Sequence, residues 1–136
     1  MNRKVDESIE GFKKELGYLI ADCRGTMSQR KLASLVGLPP SNMKYIEDGV
    51  NAPSPEIYAK IINILNPAEN LRKTMDHFYT AIRKIPPPDI CDVFIQYEEM
   101  IEVMRIICGQ NLSESNIEQI RRVFKSLATN NGGQSI

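Results

Sequence analysis

The chain has 136 residues, 42% hydrophobic and 25% charged, with seventeen lysines and arginines balanced by seventeen aspartates and glutamates. That profile bounds it to one domain with at most a small helical appendage, excludes extensive disorder, and gives no global electrostatic argument for a polyanionic partner. No apolar run approaches the ~20 residues that cross a bilayer, and the opening MNRKVDESIEGF lacks a signal-peptide core, so a cytoplasmic protein with no membrane partner is expected.

Helical spacing recurs along the whole chain, and no run of β-branched residues alternates with polar ones as a strand would. A first helix is expected from Asp6 to Cys23, with Phe12, Leu16, Leu19 and Ile20 on one side and Gly25 as its left-handed terminator. Ser28 is placed to cap a second helix. Met27 and Leu32 staple its start, and Gly37 turns the chain after Val36. Pro40 fits the first position of a third helix, which Gly49 closes. Ser54-Pro55-Glu56 then opens a fourth helix, striped by Ile57, Ile61, Ile64 and Leu65.

From Asn66, read as a cap with Glu69 completing a capping box, the pattern changes. Leu71, Met75, Phe78, Ile82 and Ile85 are spaced in fours and threes. After Pro86-Pro87-Pro88 the same rhythm runs from Ile90 to Cys108 through Phe94, Tyr97, Ile101 and Met104. Ser113 caps a last helix carrying Ile117, Ile120, Phe124 and Leu127. Such heptad-like spacing predicts three helices packed at shallow angles. The expected organisation is therefore a domain over 6–66, a three-helix dimerisation or interaction region over 67–128, and a disordered tail over 129–136.

Cys23, Cys91 and Cys108 lie far apart and His77 is the one histidine, so no zinc spacing exists and free thiols are expected. No P-loop, HExxH or GxSxG occurs either, and neither an enzyme nor a bound metal or cofactor is expected. One stretch stands out electrostatically. From Cys23 to Ile46 the chain carries Arg24, Arg30, Lys31 and Lys44 and no acid, the local composition a phosphate-facing patch requires.

Within that window, Ala33 lies where one short helix presses on the next, Gly37 makes the turn four residues on, and Met43 and Ile46 anchor the following helix. Together with Gln29, Leu32, Glu47, Gly49 and Pro53, this pattern resembles the helix-turn-helix of the XRE family, the Cro and lambda-repressor type, from about Phe12 to Leu65. The resemblance implies an all-α, lambda-repressor-like domain whose third helix enters the major groove of double-stranded DNA.

With Met43 and Ile46 buried, Ser41, Lys44, Tyr45 and Asp48 turn outward and Asn42 lies on the flank. Asn42 suits adenine, Ser41 a base or phosphate, and Lys44 a phosphate or guanine. Gln29 matches the family position that grips the DNA backbone, and Arg30 faces phosphate. Glu47, an acid near a helix C-terminus, needs a cationic partner and is read as structural. Pro39 and Pro40 replace polar residues usual in the family and remove a side-chain cap. The implied function is a sequence-specific prokaryotic transcriptional repressor binding an inverted repeat as a homodimer through its C-terminal helices. The alternative from a different class is a protein-interaction module, an antagonist or partner-binding regulator, that keeps the helix-turn-helix as a scaffold.

Overall fold

The structure, a computed structural model, describes residues 6–132, with side chains as far as residue 130. Eight helices and no strand occur among the described residues, so the fold is all-α. The chain divides into two compact units, Met1–Gln96 and Tyr97–Ile136.

The first unit holds six helices: α1 (Ile9–Arg24), α2 (Gln29–Val36), α3 (Pro40–Glu47), α4 (Pro55–Leu65), α5 (Glu69–Arg83) and α6 (Pro88–Gln96). α1 starts later than its apolar pattern implied because Ser8, not Asp6, is the cap, its hydroxyl accepting the Gly11 N–H at 3.0 Å. Ser28 and Ser54 cap α2 and α4 as expected, accepting the Lys31 and Ile57 N–H groups at 3.0 and 3.2 Å. Gly37 ends α2 with φ 79° and ψ 30°, a left-handed conformation in which the Leu38 N–H reaches back to the Ala33 carbonyl at 2.8 Å.

α1 packs against α2, α3, α4 and α5, and α2 packs on α3 and α4. Leu16, Ile20, Leu32, Ala33, Val36, Met43, Ile46, Tyr58, Ile61, Ile62, Met75, Phe78 and Tyr79 form one buried cluster. Each large aliphatic member stabilises the fold by about 1.5–3 kcal/mol relative to exposure.

The contribution of α5 corrects the expected boundary at residues 66 and 67. Met75, Phe78 and Tyr79 lie in this core, and the Tyr58 and Tyr79 rings stack at 4.2 Å between centroids. The Tyr58 hydroxyl donates to Asp76 at 2.7 Å, and burial, helped by that bond, pushes its phenol far above the ordinary range. Asn66 is not the cap of α5. It ends α4 with φ 44° and ψ 60°, a left-handed conformation that asparagine tolerates, and α5 starts from Ala68 without a side-chain cap.

The second unit holds α7 (Glu99–Arg105) and α8 (Glu114–Gly132). The single helix expected from Ile90 to Cys108 is thus two, α6 and α7, separated at Tyr97 and Glu98. Ser113 caps α8 as expected: its hydroxyl accepts the Asn116 N–H at 3.1 Å while the Asn116 side chain accepts the Ser113 N–H at 3.0 Å. α8 runs through Gly132, so the start of the expected tail is helical, and residues 133–136 lie outside the described residues. No side chain of the second unit is buried among the described residues. No helix among the described residues is long and apolar enough to cross a membrane.

Candidate functional site

α2 and α3 are joined by the three-residue turn Gly37–Pro39, and their inward faces fix what their outward faces present. Ala33 and Met43 are fully buried and Ile46 nearly so, which holds α3 in one rotational setting. Ser41, Asn42, Lys44 and Tyr45 then all fall on the exposed side of α3, with Asp48 just beyond its end. Arg30 and Lys31 are exposed at the start of α2. The side chains singled out in the sequence therefore lie on one pair of adjacent short helices.

Two glycines set how closely α1 approaches α3. A Cβ on Gly17 would come within 2.6 Å of the Glu47 carbonyl oxygen and closer still to that of Ile46. A Cβ on Gly49, which has φ +77°, would lie 2.5 Å from the Lys14 Cα. Neither position accepts a side chain without moving backbone. The sequence reading used Gly49 as a helix terminator and did not single out Gly17.

Beneath the outward face lies a charge network that the acid-free window concealed. Arg24, the last residue of α1, grips Glu47 with both arms of its guanidinium: Nε donates to Oε2 at 3.0 Å and Nη2 to Oε1 at 2.9 Å. Its Nη1 donates to the Met27 carbonyl oxygen. The Glu47 side chain is only 4% exposed, so the cation that Glu47 required is in place and the carboxylate is stapled inside the domain. All three guanidinium nitrogens of Arg24 are thus engaged within the domain.

Gln29 also joins this network. Its Nε2 donates to Glu47 Oε1 at 3.0 Å, which commits one of its two amide hydrogens and restrains the side chain. Lys44 pairs with Asp48 at 2.6 Å on the surface, and that hydrogen bond raises the lysine pKa. Of the four cations in the window, Arg30 and Lys31 carry no ion pair among the described residues. Pro39, the residue before α3, supplies no side-chain cap; its carbonyl accepts from Asn42 at 3.0 Å and Met43 at 3.3 Å.

The segment that follows α3 is braced from α5. Arg83 donates from Nε and Nη2 to the Pro53 carbonyl at 3.1 and 2.9 Å, and from Nη2 to that of Ala52 at 2.9 Å. Nothing in the local sequence signals this brace, because Arg83 is thirty residues from its acceptors. Among the described residues no group of three or more His, Cys, Asp and Glu side chains is arranged to hold a metal ion. Comparison with protein-family models, curated proteins and solved structures found no match to this chain.

Proposed function

We propose that the chain is a sequence-specific DNA-binding regulator of transcription, a repressor of the XRE type that acts in the cytoplasm as a homodimer on an inverted-repeat operator. The observation that carries this reading is the outward face of α3, where Ser41, Asn42, Lys44 and Tyr45 are exposed over an anchor of buried Met43 and Ile46. Ser41 and Asn42 stand at the N-terminal end of the helix, the end that meets base edges when such a helix lies in a major groove. Asn42 offers the donor and acceptor pair that matches adenine.

Arg30, Lys31 and the second amide hydrogen of Gln29 provide backbone contacts beside it. Lys44 contributes by exchanging Asp48 for a phosphate or guanine. This division of labour separates positioning from readout: α2 holds the phosphates while α3 reads the bases. Dimerisation falls to residues 97–132, because α5 is consumed by the core of the first unit.

Selection of bound duplexes from a random pool tests the reading. An inverted repeat is expected, and binding to it should weaken with salt at a log–log slope of about −0.9 per phosphate contact, hence about −3.6 for two protomers each engaging two phosphates. A slope near zero contradicts DNA binding and favours the partner-binding alternative. That alternative has one observation on its side: Glu47 and Asp48 occupy two of the four cations of the basic window.

A further inference from the structure

The outward face of α3 is not uniform in chemistry. Ser41 and Asn42, in its first turn, carry hydrogen-bonding side chains. Further along, Lys44 and Asp48 pair at 2.6 Å, so their charges cancel at that end of the face. Beside that pair stands Tyr45, the one aromatic side chain of α3, 48% exposed. Its backbone is fixed: Ile46 next to it is buried, and its carbonyl accepts the Val50 and Asn51 N–H groups at 2.9 and 3.2 Å. The ring therefore projects from a backbone that does not adjust, and only its two side-chain torsions need ordering on contact.

We propose, resting on the DNA-binding reading just given, that Tyr45 is a specificity-determining residue that packs its ring on the 5-methyl group of a thymine. Among the groups that base edges present in a major groove, the thymine methyl is the one apolar feature; the others are hydrogen-bond donors and acceptors. A ring beside a self-neutralised lysine–aspartate pair offers those edges chiefly hydrocarbon surface, so it favours the base that has hydrocarbon to match.

Spacing sets the position of that thymine. Tyr45 follows Ser41 by four residues and Asn42 by three, so it shares their side of the helix and stands about 4.5 Å along the axis from Asn42. Base pairs are about 3.4 Å apart, which places the thymine one or two base pairs from the adenine that Asn42 reads. The phenol oxygen is the competing feature, because a bond from it to a phosphate carries no sequence information.

Replacing thymine by deoxyuridine removes the methyl and leaves every hydrogen-bonding group in place. Binding of the full chain is measured on the selected operator and on copies in which each thymine in turn is deoxyuridine. At the thymine near the Asn42 adenine, the wild-type chain should bind about fourfold more weakly for each half-site replaced, the factor for one buried methylene-sized group. Tyr45→Phe should keep that factor, and Tyr45→Ala should bind both duplexes equally. Tyr45 lies outside the core, so both variants should melt as the wild type does. Wild-type indifference to deoxyuridine within two base pairs of that adenine, or an undiminished factor in Tyr45→Ala, overturns the proposal. A factor lost in Tyr45→Phe as fully as in Tyr45→Ala makes the hydroxyl the contact and overturns it as well. Failure of the DNA-binding reading looks different: the wild-type chain then selects no operator, and the assignment of Tyr45 falls with it.

Discussion

Thirteen hydrophobic side chains are buried in the first five helices, while α7 and α8 bury none among the described residues, although α8 carries as regular an apolar stripe as α1. The difference is in what the stripe meets. Leu16 and Ile20 of α1 face α2, α3, α4 and α5, whereas Phe124 of α8 is half exposed. The polar groups follow the same division. Arg24 and Glu47 form a part-buried, bidentate pair, 19% and 4% exposed, whereas Arg121 and Glu118 pair on a surface where they are 53% and 43% exposed. Spacing makes a helix amphipathic; only its neighbours decide whether the apolar side becomes a core or an interface.

The sharpest break in that comparison comes from the two arginines. Arg24→Ala leaves the little-exposed Glu47 carboxylate with Gln29 as its remaining side-chain donor and should cost about 2–3 kcal/mol. Arg121→Ala removes a solvated pair and should cost at most about 1 kcal/mol. Thermal and urea melts of both variants check this; equal losses would mean that Glu47 is more open to water than its setting here. Gly17→Ala should come next, at about 1–3 kcal/mol, because its methyl group meets the Ile46 and Glu47 carbonyls. A normal melt for that variant would mean that α1 and α3 stand further apart.

The stacked tyrosines give a contrast between two hydroxyls. Tyr58→Phe loses the bond to Asp76 and should cost about 1–3 kcal/mol. Tyr79→Phe removes a buried hydroxyl that has no hydrogen-bond partner among the described residues. It should leave stability unchanged or raise it by up to about 1 kcal/mol. Urea denaturation of the pair reads the contrast, and a larger loss for Tyr79→Phe would reverse the assignment of partners.

Local signals placed most of the first four helices. Ser28, Gly37, Pro40 and Ser54 each act through groups within a few residues, so cap and turn chemistry located α2, α3 and α4. Asn66 shows the limit of that logic, because the same residue type serves as an N-cap or as a left-handed terminator, and its sequence suits both. The heptad rhythm of Leu71, Met75 and Phe78 correctly marked a helix. It said nothing of which partner covers it, and α5 joined the first core instead of a separate bundle. At the candidate site the outward set on α3 followed from two buried anchors, Met43 and Ile46. The Arg24–Glu47–Gln29 network did not, because it depends on the tertiary approach of α1 to α3. The need of Glu47 for a cation was legible, and the identity of that cation was not.

The proposal that α3 reads bases is tested most directly by the binding of Asn42→Ala to the selected operator and to its single-base variants. Asn42 is exposed and outside the core, so the variant should melt as the wild type does. The expected result is a loss of about 1–3 kcal/mol on the best site, together with relaxed preference at one position in each half-site. Unchanged affinity and unchanged preference would contradict it.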